Sequence, residues 1–213
     1  MNDPCSKASA VLGTDCCPPA RPAAKDQRLL AVERAEDIPA QYRQTPIGRL
    51  LQYHNLADPQ PVYAVAELLV GMCMDNRKHL RIPDNFAFII RSAGANLRYS
   101  EFKVAYAIGV GGVRAIALIA HTHCGMVNLA AQRAQFVQGL IENGGWERQE
   151  AEHCFDTFAP TFEIGNEFDF VLSEARRLRG RFPKVLVAPL IYRVEDNRLY
   201  LMPEEDSAAV CAR

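Results

Sequence analysis

Two short stretches of this chain place residues capable of metal chemistry directly after apolar runs. Ile119-Ala120-His121-Thr122-His123-Cys124 sets an imidazole and a thiol three positions apart, and Leu68-Leu69-Val70-Gly71-Met72-Cys73 ends on a second thiol, with Asp75 and Arg77 close behind. Each run reads as a buried strand whose polar residues stand where the strand stops. In open parallel sheets ligands gather beyond the carboxyl ends of the strands, so Cys73, His121 and Cys124 could meet at one point. Two cysteines and one histidine without a fourth protein ligand are a known pattern for catalytic zinc, which keeps one position open. An acid and a base two residues apart, taken alone, read as an ordinary salt bridge.

Strands must carry these residues, and the surrounding pattern supplies strands and helices in alternation. Residues 65–72 and 86–90 are almost continuously apolar, as are 113–120 and 185–192, which is the mark of strands covered on both faces. A turn at Asp196-Asn197 then returns 199–201 as an antiparallel edge. Thr45 as N-cap and Pro46 at the first position open a helix with Ile47, Leu50 and Leu51 on one face, and His54 near its end reads as a partner of the carboxyl-terminal dipole. Ser100-Glu101 begins another, in which Phe102, Ala105, Tyr106 and Gly109 should form a buried stripe. The glycines that follow close that helix and precede a strand, so they are no dinucleotide fingerprint, which must follow a strand and open a helix. Three further helices are expected: one with Ala130, Ala134, Val137 and Ile141 on a face, one over 146–158, and one running from Ile164 through Leu178 to Gly180. The fold class expected is α/β, a three-layer domain with a mostly parallel central sheet (four parallel strands plus an antiparallel C-terminal edge strand) flanked by helices.

The 213 residues, 49% hydrophobic, suffice for one such core and are too few for two domains. Residues 26–205 should form it. Residues 1–25 hold cysteines and prolines without a periodic apolar pattern and read as a disordered tail, with a second tail at 206–213. A net charge of −1, acids and bases interspersed, leaves no surface for nucleic acid or anionic lipid. No apolar run approaches the roughly 18 residues that span a bilayer, and no leader-like segment opens the chain; a soluble, cytoplasmic protein is expected. Seven cysteines without framework spacing fit reduced thiols and metal rather than disulfides. Cys154 reads as a core residue, and His79 and His153 as surface.

The spacings C-x-D-x-R and H-x-x-C, in that order, carry a resemblance. Cys73-Met74-Asp75-Asn76-Arg77 and His121-Thr122-His123-Cys124 are similar to the hallmarks of the β-class carbonic anhydrases. Arg91-Ser92-Ala93-Gly94-Ala95 stands where that family has an R-N-A-G-N-like turn, and 187–199 resembles its last strand and hairpin. Asn76 replaces the usual Ser, His123 takes a slot that often carries Asp, and the segment between the motifs is a few residues shorter than in many members. The resemblance implies Zn2+ held by Cys73, His121 and Cys124, a catalytic Asp75 that orients a zinc-bound hydroxide, and Arg77 restraining Asp75 from becoming a fourth ligand. It implies reversible hydration of carbon dioxide to bicarbonate by a homodimer or higher homo-oligomer. Two other readings are a hydrolase of carbonyl sulfide or carbon disulfide with the same metal centre, and a catalytically inactive zinc-binding paralogue with a structural or interaction role. Retention of Asp75 and Arg77 counts against the last. His123 reads as a proton relay or as an outward-pointing side chain.

Overall fold

Side chains of the central strands, all buried, alternate between two faces, and that alternation builds the layers. The structure, a computed structural model, describes residues 29–203, so both expected tails lie outside the described residues. Its strands are β1 (Leu68–Cys73), β2 (Ala87–Ser92), β3 (Ala115–His121), β4 (Leu186–Arg193) and β5 (Arg198–Leu201), and its helices α1 (Ala40–Arg43), α2 (Pro46–Leu56), α3 (Glu101–Gly109), α4 (Arg133–Gly144), α5 (Arg148–Phe162) and α6 (Glu167–Arg181). The sheet order is β2-β1-β3-β4-β5, with β1 to β4 parallel and β5 antiparallel to β4. Leu68, Val70 and Met72 of β1 and Ala115, Ala117 and Ile119 of β3 face one layer, where Ile47, Leu50 and Leu51 of α2 meet them. Leu69 and the intervening Ile116, Leu118 and Ala120 face the other, against Val104 and Ala107 of α3 and Phe168, Val171, Ala175 and Leu178 of α6. This is the expected three-layer α/β architecture, with strands buried on both faces because helices cover both.

Capping works as the sequence foretold at α2, where Thr45 accepts a hydrogen bond from the Gly48 amide and Pro46 occupies the first turn. Gly145, at φ 69°, closes α4. Three expectations need correction. β2 is an edge strand whose Phe88 and Ile89 are 38% and 52% exposed, because no described segment lies beyond it. In α3 the expected stripe turns outward: Val104 and Ala107 are buried, while Phe102 is 82% and Tyr106 52% exposed. Apolar residues occur all around α3, so periodicity alone does not choose its buried face. α4 buries only Val137 of its expected face, because it packs on α5 rather than on the sheet.

His54 is a further correction. It is buried among the core residues, its Nε2 bonds the Asn197 carbonyl at 3.0 Å and its Nδ1 accepts from the Arg81 amide at 3.1 Å. The ring is therefore neutral, a tie between α2, the β4–β5 turn and the chain before β2, and not a charged dipole partner. Burial is the main cause that pushes its pKa down to about 4. Because the folded value lies below the unfolded one, the unfolded chain binds more protons between these values, and stability falls as pH drops through that window. Between pH 6.5 and 4 this group should cost about 3 kcal/mol. Urea unfolding at pH 7 and pH 4.5 checks this: the wild type should lose more stability across the interval than His54→Gln, and equal losses would refute it.

Candidate metal centre

The two motifs end on neighbouring strands in the middle of the sheet. β1 and β3 pair in parallel with Met72 opposite Ile119, so their carboxyl ends lie side by side. This is also where the strand order changes direction, the position at which α/β sheets open a crevice. Beyond His121 the chain makes a tight turn, anchored by the Thr122 amide donating to the Tyr192 carbonyl (3.1 Å) and the Thr122 hydroxyl to Glu195 Oε2 (2.8 Å). His123 sits in the left-handed region at φ 55°, a conformation that His, Asn and Asp tolerate better than most residues. The turn brings Cys124 back so that the ligand atoms of Cys73, His121 and Cys124 all lie within 4.8 Å of one another, all three residues buried.

The donor chemistry fits a metal ion. His121 Nδ1 donates to the Thr122 carbonyl at 2.9 Å, which leaves the Nε2 lone pair facing the two sulfurs. Among the described residues His121 Nε2 is the one buried side-chain polar atom without a hydrogen-bond partner, and such an orphan is costly unless something binds it. Cys73 and Cys124 hold their sulfurs 4.0 Å apart, close to the roughly 3.8 Å expected for two thiolates on one tetrahedral zinc. The Cys124 thiol hydrogen-bonds Cys73 and holds it well below the usual thiol range. The Cys73 sulfur, with burial, pushes Cys124 up. A cation held by both sulfurs would favour the thiolate form of each. Met126, Val127, Ile164 and Phe170 pack around the cysteines as an apolar wall. The turn after β2 closes this wall: Gly94 sits at φ +61°, and a side chain on it would meet Ile164 Cγ2 at 3.2 Å.

Asp75 and Arg77 stand beside this set and not within it. The guanidinium and backbone amide of Arg77 grip the carboxylate through Nε, Nη2 and N, at 2.8 to 3.2 Å. This grip keeps the Asp75 carboxyl well below the ordinary carboxylate range. Asp75 Oδ2 lies 4.0 Å from His121 Nε2, too far for a hydrogen bond. Arg77 Nη2 also donates to the His123 carbonyl at 2.8 Å, so one side chain ties both motifs together, which an isolated surface salt bridge would not do.

Two further cations stand here: Lys78, which the sequence did not mark, and Arg91, which it marked only as the start of a turn. Lys78 is 4% exposed; its Nζ donates to the Asp75 carbonyl at 3.0 Å, and burial lowers its pKa. Arg91 Nη1 reaches the same carbonyl at 3.3 Å. Nothing in the sequence marks Lys78 as buried, since it directly follows an exposed arginine. The His123 side chain points outward, 70% exposed, and pairs with Glu195 Oε1 at 2.7 Å. His79 and His153 are exposed, as expected, and Cys154 is half-buried rather than in the core.

Solved structures share this architecture, and three of them follow. A carbonic anhydrase from Glaciozyma antarctica superposes with a TM-score of 0.53 at 18% identity, covering 76% of this chain and 98% of that one. One from Streptococcus mutans gives 0.52 at 17%, covering 74% and 95%. The β-carbonic anhydrase isoform I of Trichomonas vaginalis gives 0.54 at 15%, covering 72% and 92%. The chain has the β-carbonic anhydrase fold. No protein-family model and no curated protein matches its sequence. In the β-carbonic anhydrase fold as this chain builds it, the donor set draws one ligand from the end of β1 and two from the end of β3. The expected stoichiometry is one divalent metal per chain, measured by elemental analysis, with Cys73→Ala and Cys124→Ala each losing it; full occupancy in either variant would remove these cysteines from the site.

Proposed function

We propose that the protein catalyses the reversible hydration of carbon dioxide to bicarbonate, with zinc held by Cys73, His121 and Cys124. The observation that carries this reading is the carboxylate of Asp75, clamped by Arg77 and standing next to the donor set but outside it. A structural zinc site takes four protein ligands, whereas a three-ligand set leaves one position open. Zinc in such a site supplies a Lewis acid that makes a water nucleophilic near neutral pH. The chain's own residues account for the rest. Asp75, ionised and fixed by Arg77, accepts a hydrogen bond from the attacking water and orients its lone pair. Met126, Val127, Ile164 and Phe170 offer an uncharged linear substrate an apolar surface. Lys78 and Arg91, both on the Asp75 carbonyl, offset the negative charge of two thiolates and a carboxylate.

The test is stopped-flow hydration of carbon dioxide on metal-replete protein, with carbonyl sulfide in parallel. Turnover of carbon dioxide is expected; turnover of carbonyl sulfide alone would assign the sulfur analogue, and no turnover of either would leave a binding protein. Arg77→Ala should keep the metal and lose about 100-fold or more in turnover, because the carboxylate it positions is released. Wild-type turnover in that variant would reduce the pair to a surface salt bridge.

The protein is a homodimer in this reading, and the outward face of α3 with the edge strand β2 is its interface. Tyr99, Phe102, Tyr106 and Val110 form one helical stripe beside Phe88 and Ile89, and Phe88 lies against the end of α3 at Gly111. At about 200 Å² for a full aromatic side chain, these residues expose on the order of 700 Å², more than the about 300–600 Å² of a typical monomer's largest patch. Phe102→Asp should shift the mass measured by light scattering to that of a single chain. An unchanged mass would move the interface elsewhere.

A further inference from the structure

The helices α4 and α5 form a hairpin that leaves the sheet just after Cys124 and returns just before α6. Its stem is closed by the bridge between Val127 and Ile164 and by the Ile164 amide donating to the Met126 carbonyl at 2.9 Å. Between its helices lies a cavity of about 640 Å³, open to solvent on one side and walled by Met126, Leu129, Phe136, Phe155, Phe158 and Phe162. Phe136 and Phe155 meet edge to face at 5.1 Å and brace its floor. The volume lies in the range of sites for drug-sized molecules and far exceeds what a triatomic substrate fills.

No charged residue lines the cavity. Of its two amide side chains, Gln132 is already bound to the Gly125 carbonyl at 2.8 Å, which leaves that of Gln135. An extended polypeptide occupant would bring rows of backbone donors and acceptors that such a lining cannot satisfy. A small neutral molecule would not. Gly139 adds an independent observation. It lies in the interior of α4 and lines the cavity, and a Cβ added there would meet nothing nearer than Asn143 Nδ2 at 3.9 Å. A glycine inside a helix lowers its stability relative to alanine, and neither close packing nor a positive φ requires one here. Its effect is to leave the cavity open.

We propose that this cavity is a binding site for a neutral, mainly apolar molecule of drug-like size, with one hydrogen-bonding group directed at Gln135. The site is separate from the cysteine-histidine cluster but shares a wall with it, since Met126 lines the cavity and packs against Cys73 and Cys124. It does not depend on which reaction the cluster performs. Cys154, half-buried on the wall, supplies a reporter.

Nile red, neutral and apolar, is the probe. Its fluorescence titration on the metal-replete protein should saturate at one molecule per chain. Gly139→Leu, which fills the cavity and improves the helix, should weaken binding at least tenfold while keeping or raising the melting temperature. Phe102→Asp, at a residue that does not line the cavity, should leave it unchanged. In the wild-type protein, saturating Nile red should also slow alkylation of Cys154 by N-ethylmaleimide, read by mass spectrometry, and this measurement stands even if Gly139→Leu fails to fold. The proposal is overturned if titration is not saturable, if Phe102→Asp and not Gly139→Leu removes binding, or if Cys154 is not protected. A change in oligomeric mass in Gly139→Leu would also overturn it, since the cavity would then be a subunit contact.

Discussion

Two buried sulfurs 4.0 Å apart and an imidazole nitrogen without a partner form an arrangement that a folded chain holds at a cost unless a cation joins them. The surrounding architecture serves that arrangement. The parallel register of β1 and β3 places Cys73 beside the strand that ends in His121, and the tight turn through Thr122 and His123 returns Cys124 to the same point. The Thr122 hydroxyl accepts from the Val194 amide at 3.0 Å and donates to Glu195, which binds this turn to the end of β4. Three strands therefore fix three donor atoms, and rigid elements hold such constellations more precisely than loops do.

Charge around the cluster is arranged in the same spirit. The residues after β1 supply Asp75, Arg77 and Lys78 in one short turn, and β2 adds Arg91. The carboxylate of Asp75 takes one guanidinium and its backbone carbonyl takes two more cations, so a single residue is held from both ends. Lys78 is the unusual member, because a buried ammonium is penalised unless negative charge lies near; Cys73 and Asp75 provide it.

Much of this could be read from the sequence, because the signals were local. Apolar runs ending in Cys73 and His121 mark strand ends, Thr45-Pro46 marks a helix start, and the order of strands and helices gives the three layers. The donor set follows from residue types at those ends. What escaped reading was tertiary. Phe102 and Tyr106 have the spacing of a core stripe, yet Val104 and Ala107 of the same helix face the sheet. His54 looks like a charged helix terminus until Asn197 and Arg81, far away in sequence, close around it. Arg91 gains a role only because β2 folds back beside β1, and Ile164, expected inside a helix, instead closes the stem at Val127.

That stem carries a consequence for how the fold tolerates change. The chain between Val127 and Ile164 departs and returns at one point, so to the sheet it is a closed excursion. Loop-closure entropy grows slowly, by about 0.6 kcal/mol for each doubling of length. Helical turns can therefore be added to or removed from the distal ends of α4 and α5 without altering the register of β1 and β3, which makes this hairpin the segment where relatives of the chain can diverge in length while keeping the same three donor atoms in place.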